Sequence, residues 1–206
     1  MENTPYRLIG LDDSFESATE NMRFDEQLVD QLQRGCRLER FYIWQVPGIT
    51  YSYKQECPVD MRHIDSSSRL TGGGIVFHTP GDIVFSLVGW NTDPLYACRM
   101  KGRLDVVSKR IQVAFNAMGV SLDQNANAPK TDLNFCASYP TPFEISIQNQ
   151  KVVGLTIRQF KDRWLIQGVI HTQPTDAVFF NLNRYPVNIK INASNLLSFI
   201  TSKKHT

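Results

Sequence analysis

The chain has 206 residues, 42% of them hydrophobic, and its 22 basic and 20 acidic side chains leave a formal net charge of +2. These values are typical of a soluble globular domain with a sizeable core, and the near-neutral charge gives no indication of nucleic acid or an anionic membrane as a partner. No segment approaches the roughly 18 apolar residues that a membrane-spanning helix requires. The first residues, Met1 to Asp13, lack the basic and apolar regions of a signal peptide, so we expect a cytoplasmic protein.

The cysteines and histidines are spread along the chain without the spacing of a disulfide framework or a metal site. No two cysteines form a CxxC pair, so reduced thiols are expected at Cys36, Cys57, Cys98 and Cys136. Metal-ligand spacing is equally absent among the histidines, which are His63, His78, His171 and His205. We therefore predict no metal site.

The first half of the chain is predicted to hold one helix and four short strands. Apolar residues recur on one helical face over 21–34, which predicts a helix that Gly35 ends. Aromatic and β-branched runs predict strands over 41–44, 49–51, 75–77 and 83–88. Turn residues at Pro47-Gly48 and over 79–82 separate the members of each pair, so two hairpins are expected.

The second half begins with the clearest helix, over 101–118, which Gly119 ends, and a polar loop follows over 123–132. Alternating and β-branched runs then predict antiparallel strands over 143–147, 151–160 and 164–172. A final helix is expected over 193–201, with Asn192 as its N-cap. This pattern predicts a single α+β domain of largely antiparallel sheets flanked by helices. Neither a dinucleotide-binding glycine motif nor a P-loop is present.

The most informative segment is Arg69-Leu70-Thr71-Gly72-Gly73-Gly74-Ile75-Val76-Phe77-His78. Three consecutive glycines let the backbone approach a ligand closely and adopt positive φ. The N–H groups of such a stretch can bind a phosphate or a carboxylate. The arginine adds a bidentate donor for an anion, and the threonine adds a hydroxyl. Because an isolated run of glycines is more often a flexible surface loop, the surrounding sequence must decide between these interpretations.

That segment resembles the Arg-x-(Ser/Thr)-Gly-Gly-Gly-x-Val-x-His signature of the lipoate–protein ligase and octanoyltransferase family, which is related to the biotin–protein ligases. The resemblance implies a biotin/lipoate ligase-like fold in which this loop and strand wall the acyl chain and hold its activated carboxyl end. It assigns acyl and substrate binding to Arg69, Thr71, Gly72, Gly73, Gly74, Val76, His78 and Gly154.

A second segment, Phe143-Glu144-Ile145 followed by Lys151-Val152-Val153-Gly154, is similar to another element of the same family. The family's lysine falls on Lys151. The resemblance implies that its ammonium binds the acyl carbonyl and stabilises the charge that builds as an amine attacks. A lone hairpin lysine is usually only solvated, but the alignment with Gly154 favours a catalytic role.

Cys136 is the residue that distinguishes two enzymatic routes. It precedes Glu144 by 8 residues and Lys151 by 15. This placement resembles that of the family's octanoyltransferases, which carry a nucleophilic cysteine in a similar Cys-x-x-x-Pro-x-x-x-Glu context before the lysine. A thiolate there would take the acyl group from a carrier-protein thioester and pass it to a lysine amine without ATP. A buried, inert cysteine is the other interpretation, and both stay open.

The chain also departs from the family pattern. Leu155-Thr156-Ile157 replaces the usual small residues, and Gln167-Gly168 stands where the family has His-Gly. The tandem arginine before the glycines is reduced to Ser68-Arg69, and no adenylate-loop pattern is recognisable near Asp132-Leu133-Asn134. These departures weaken the ligase interpretation most, and they also leave room for a non-catalytic homologue.

We therefore expect one catalytic domain over 1–206, without the C-terminal accessory domain of the full-length ligases, that transfers an octanoyl or lipoyl group to a lysine through a Cys136 thioester. This route needs no cofactor. The alternatives are an ATP- and Mg-dependent lipoate–protein ligase that acts through lipoyl-adenylate, and a non-catalytic protein that binds an acyl group or a carrier domain. The implied acceptor is the lipoyl carrier domain of a 2-oxoacid dehydrogenase or glycine cleavage protein, and acyl carrier protein is a candidate donor.

Overall fold

The computed structural model describes residues 6–9, 15–96, 98–123, 135, 141–179, 181–182 and 186–202. Cys136 and nearly all of the predicted polar loop lie outside these ranges. The α-helices are α1 (Ala18–Gln31), α2 (Met100–Ala117) and α3 (Ala193–Thr201). The strands are β1 (Tyr6–Ile9), β2 (Arg37–Ile43), β3 (Gly48–Ser52), β4 (Asp65–Arg69), β5 (Val76–His78), β6 (Ile83–Trp90), β7 (Ile145–Ile147), β8 (Gln150–Gln159) and β9 (Arg163–Ile170).

Six strands form the larger sheet, in the order β1-β2-β6-β9-β8-β7. Only β1 and β2 pair in parallel within it, while the neighbours from β2 through β7 are antiparallel. Gln148 and Asn149 adopt positive φ, 52° and 60°, in the turn between β7 and β8. This pair of angles is typical of the tight turns that join antiparallel strands. The prediction of largely antiparallel sheets is confirmed.

A smaller sheet contains β4, β3 and β5 in that order. Strand β3 pairs in parallel with β4 and antiparallel with β5. Strand β4 has the sequence Asp65-Ser66-Ser67-Ser68-Arg69 and was not predicted, because it has neither apolar alternation nor β-branched residues.

The prediction of two hairpins in the first half of the chain is wrong. Strands β2 and β6 lie in the larger sheet, whereas β3 and β5 lie in the smaller one. The two crossings run side by side, since the Trp44 N–H donates to Asp82 O at 2.8 Å and the Gly81 N–H donates to Trp44 O at 2.8 Å. Each predicted turn therefore carries the chain from one sheet to the other.

The predicted helices are confirmed, with small shifts at α1. That helix starts three residues earlier than expected because Ser17 caps it, its Oγ accepting from the Glu20 N–H at 3.2 Å. Asn192 caps α3 as predicted, accepting from the Asn195 N–H at 3.0 Å.

The larger sheet carries a helical layer on one face and the smaller sheet on the other. Buried residues of α2 and α3 pack with Phe41, Phe85 and Ile166 in the main core. On the opposite face, α1 packs through Ala18 and Met22 against the larger sheet and lies beside β3 and β4. No helix in the described part of the chain is long and apolar enough to cross a membrane.

Candidate functional site

A largely apolar cavity lies between the two sheets, with α1 at one side. Its walls come from α1, from β3 to β6 and from the paired strands β8 and β9. They consist of Met22, Thr50, Arg69, Val76, His78, Val84, Gly154, Leu155, Thr156, Gln167, Gly168 and Val169. Four predicted site residues, Arg69, Val76, His78 and Gly154, are thus brought together, although they are up to 85 positions apart.

The glycine segment forms a loop beside this cavity, and Arg69 braces it. The Arg69 guanidinium is buried and donates to Gly72 O at 2.8 Å and to Gly74 O at 2.7 Å. Gly73 has φ +93°, which side chains rarely adopt, and a Cβ there would lie 3.1 Å from Arg69 Nη2. At Gly72 φ is not positive, and a Cβ added there would meet no described atom within 4 Å. The backbone therefore requires glycine at position 73, whereas position 72 has space for a Cβ.

Strand β8 holds the same segment from the other side. Thr156 Oγ1 donates to Gly72 O at 3.2 Å, and Arg158 Nη1 donates to Leu70 O at 2.9 Å. Thr156 is one of the residues that depart from the family pattern, and it bonds directly to the glycine loop.

Gln167, which stands where the family has histidine, links the loop to α1. It accepts from Thr71 Oγ1 at 2.8 Å and donates through Nε2 to Asp25 Oδ2 at 2.9 Å. Asp25 also accepts from Ser86 Oγ at 2.5 Å and from Arg40 Nη1 at 2.7 Å. All five side chains are buried. An amide suits this position because it supplies a donor and an acceptor without a change of protonation.

His78 is held rigidly in the cavity wall. Its ring stacks on Trp44 with centroids 4.2 Å apart, and its Nε2 lies 2.9 Å from Thr50 Oγ1. Burial, with smaller contributions from the charges of His171 and Arg69, holds the pKa of His78 well below its ordinary value. The ring is therefore neutral at physiological pH.

A β-bulge determines the direction of Lys151. Ser146 pairs with Lys151 but Ile145 pairs with Val153, so β8 carries one extra residue at Val152. Val152 and Val153 are both fully buried in the main core. Since cross-strand partners share a face and Ile145 also lies in this core, Ser146 and Lys151 point to the opposite face, which carries Gly154 and the cavity.

The Lys151 ammonium is paired with a buried carboxylate. Its Nζ lies 2.5 Å from Glu144 Oε1, and the two side chains are only 11% and 4% exposed. Glu144 Oε2 also accepts from the Thr141 N–H at 2.7 Å. Burial raises the pKa of the Glu144 carboxyl, while Lys151 and Thr141 act in the opposite direction. The pair fixes the Lys151 amino group on the cavity face of the sheet.

Sequence reasoning missed a second pair on this face. His171, directly after β9, has its Nδ1 2.8 Å from Asp82 Oδ2. The two residues are 89 positions apart in unrelated segments, and the sequence indicates only a turn at Asp82. At Gln167 the sequence indicates only a departure from the family's histidine. No local pattern in the sequence indicates that either residue faces the cavity. The position of Cys136 relative to the site lies outside the described residues.

Comparison with known proteins places these features in context. Residues 17–201 match the lipoyl protein ligase A/B catalytic domain. The octanoyltransferase LipM of Geobacillus kaustophilus is 26% identical over 185 residues, which cover 81% of this chain and 66% of that protein, just under two thirds of its length. A probable lipoate-protein ligase A of Mycoplasma pneumoniae is 24% identical over 173 residues, with 80% of this chain and 44% of that protein covered.

Solved structures share the fold. A lipoate-protein ligase A bound with ATP superposes with a TM-score of 0.74 at 18% identity, covering 95% of this chain and 82% of that one. The Thermoplasma acidophilum bi-partite lipoate protein ligase, described with its E2 lipoyl domain, superposes with a TM-score of 0.68 at 19% identity. This match covers 96% of this chain and 81% of that one. The predicted fold class is confirmed. Because the family match spans most of the sequence, the chain belongs to the lipoyl protein ligase A/B catalytic domain family of acyltransferases and ligases.

Proposed function

We propose that this chain is a protein-lipoylation enzyme that transfers an octanoyl or lipoyl group to a lysine of a lipoyl carrier domain. The observation that carries the proposal is the largely apolar cavity on the face of the sheet to which Lys151 points. Each methylene group that enters such a cavity gains about 0.8 kcal/mol from leaving water. The cavity therefore favours an apolar acyl group.

The carboxyl end of the acyl group requires a positive charge, and Lys151 is suited to supply it. Negative charge develops on the carbonyl oxygen during acyl transfer, and a pre-positioned donor stabilises it. The Glu144 contact orients the Lys151 side chain before substrate arrives. Arg69, Val76, His78 and Gly154 then act as walls around the chain, and the backbone of the glycine loop over 72–74 contacts its activated end.

For the donor we propose a thioester route through Cys136. The acyl group passes from acyl carrier protein to the Cys136 sulfur and from there to the acceptor amine, with no nucleotide cofactor. The octanoyltransferase named among the relatives supports this route, as does the 15-residue separation of Cys136 and Lys151. The acceptor we propose is the lipoyl domain of a 2-oxoacid dehydrogenase or glycine cleavage protein, by analogy with the ligase that is described with its E2 lipoyl domain.

The second candidate is an ATP- and Mg-dependent ligase that activates lipoate as its adenylate. The Mycoplasma relative and the fold shared with the ATP-bound ligase favour it. The third possibility, a non-catalytic homologue, drew on the departures at Thr156 and Gln167. These residues instead bond to the glycine loop and join it to α1, so they give less support to a loss of function.

Mass spectrometry distinguishes the routes. The purified protein is incubated with octanoyl–acyl carrier protein, or with lipoate, ATP and Mg, in each case with an apo lipoyl domain. A thioester enzyme gains a covalent octanoyl group and passes it to the domain, and Cys136→Ser abolishes both events. Cys98→Ser is the matched control, since Cys98 is an exposed thiol outside the cavity lining. Transfer that requires ATP and survives Cys136→Ser would establish the ligase instead. No modification under either condition would refute an enzymatic function.

A further inference from the structure

The His171–Asp82 pair has the geometry of a histidine held ready for proton transfer. Asp82 is fully buried, and its Oδ2 accepts from His171 Nδ1 at 2.8 Å and from the Thr79 N–H at 3.0 Å. Its Oδ1 accepts from the Thr172 N–H at 3.0 Å. A carboxylate fixed in this way holds the imidazole proton on Nδ1 and leaves Nε2 as the basic nitrogen.

The pair lies on the cavity face, next to the Lys151 segment. The His171 N–H donates to Val152 O at 2.8 Å, which places His171 across from the residue that follows Lys151. Ile170 packs in the main core, so the alternation of β9 turns His171 to the face of Gln167 and Val169, which line the cavity.

The proposed reaction needs a base on this face. An acceptor lysine has a pKa of about 10.4 and arrives as an ammonium, which has no lone pair for attack. The Lys151 Nζ is already engaged by Glu144 Oε1, at 2.5 Å. His78 is buried, with Nε2 engaged by Thr50. His171 is 19% exposed, and no described residue bonds to its Nε2.

We propose that His171 is a catalytic general base that deprotonates the acceptor lysine, with Asp82 as its positioning residue. Nε2 takes one proton from the ammonium, and the freed lone pair forms the C–N bond to the acyl carbon. The bond from that carbon to its leaving group, a thiolate or an adenylate phosphate, breaks with the electron pair. The second amine proton leaves to the departing thiolate or to water. This inference rests on the proposed function, but it holds for either activated donor.

The test compares lysine with an acceptor that needs no base. Acyl transfer from octanoyl–acyl carrier protein, or from lipoate with ATP, is measured for wild type, His171→Ala and Asp82→Asn. The acceptors are the apo lipoyl domain and hydroxylamine, which is unprotonated at neutral pH, and the rate without enzyme is subtracted. Loss of a general base should slow transfer to the lipoyl domain by roughly 10²–10⁴-fold. Transfer to hydroxylamine should change by no more than about threefold, and raising the pH should restore transfer to lysine.

His63→Gln is the matched control, because His63 is exposed and does not line the cavity. Octanoate binding and thermal unfolding show whether each variant keeps its fold. Added imidazole should partly restore transfer to lysine by His171→Ala. If wild type transfers the acyl group and His171→Ala does so equally fast, the base assignment is overturned while the proposed function stands. The assignment is also overturned if both acceptors lose activity equally. If wild type transfers to neither acceptor from either donor, the proposed function and this inference fail together.

Discussion

The Lys151 ammonium lies against a buried carboxylate, and this contact limits the chemistry that the side chain can perform. A lysine whose Nζ lies 2.5 Å from Glu144 Oε1 has little rotational freedom. A donor fixed in this way suits the proposed role of Lys151, the stabilisation of a developing oxyanion, which depends on the exact position of the donor.

Lys151→Ala should slow acyl transfer to a lipoyl domain by about 10²–10³-fold, the usual cost of removing one oxyanion donor. The loss should appear with thioester or adenylate as donor, since charge builds at the same carbonyl in both. Initial rates of lipoyl-domain modification measure the effect. Lys109→Ala is the matched control, because Lys109 is 69% exposed in a helical ion pair on α2. Near-normal turnover by Lys151→Ala would refute the assignment.

The Lys151 position could be predicted from its motif, but its direction could not. The extra residue in β8 turns the lysine away from the core, and it is visible only from the pairing of Ile145 with Val153. The sequence Lys-Val-Val-Gly contains no sign of a bulge, because two successive valines fit a regular buried strand equally well. The His171–Asp82 contact could not be predicted either, because it joins two segments 89 positions apart and no local pattern links them.

At the scale of elements, the glycine loop is held by donors from both sides. Arg69 at the end of β4 bonds to two of its carbonyl oxygens, and Thr156 and Arg158 of β8 reach it from the other sheet. Its conformation is thus imposed by two strands that are far apart in sequence. A loop held in this way presents its backbone to a ligand in a fixed shape, which lowers the entropic cost of binding.

Gly73→Ala should weaken octanoate binding by about tenfold or more. A Cβ at φ +93° strains the backbone by roughly 1–2 kcal/mol and contacts Arg69, so the loop must change shape. Gly119→Ala is the control: its φ is +73°, and no described atom lies within 4 Å of the added Cβ. Both variants should lose similar stability, but only Gly73→Ala should lose affinity. Calorimetric titration and thermal unfolding measure the two quantities, and unchanged affinity in Gly73→Ala would contradict the role of the loop.

Helices were predicted more accurately than strands, for identifiable reasons. Helix α2 shows its apolar face over five turns, and α3 has a capping asparagine, so both could be located closely. Strand β4 consists of an aspartate, three serines and an arginine, whose pairing with β3 depends on tertiary contacts. Its arginine was nonetheless identified as a site residue through the motif.

At the scale of the whole molecule, the cavity exists because the chain crosses twice between two sheets. The crossings at Trp44 and Gly81–Asp82 are hydrogen-bonded to each other, and His78, at the end of β5, stacks on Trp44 beside them. Short apolar strands separated by turns predicted hairpins, because local sequence does not specify which sheet a strand joins. The α+β class could therefore be predicted, but the space between the sheets could not.

The neutral, buried state of His78 should make the stability of the whole molecule depend on pH. The pKa of His78 is well below its ordinary value of about 6.5 in the folded protein. Over the interval between these values the unfolded chain binds the proton and the folded chain does not, so the free energy of unfolding falls as the pH falls. Within this interval, one such group changes the free energy of unfolding by up to about 1.4 kcal/mol per pH unit. The stability that it contributes is fully present above the unfolded pKa and is lost as the pH falls through the interval.

His78→Gln should therefore flatten the pH dependence of stability between about pH 7 and pH 5.5, where histidines titrate before most carboxylates. Urea unfolding at several pH values measures the slope, and the difference between wild type and variant isolates His78 from the other titrating groups. His63→Gln, at an exposed histidine, should keep the wild-type slope. A His78→Gln profile parallel to that of wild type would mean that His78 becomes protonated in the folded protein. The cavity wall would then carry a positive charge against Trp44 and Arg69, and the ring could not serve as a neutral boundary for an acyl chain.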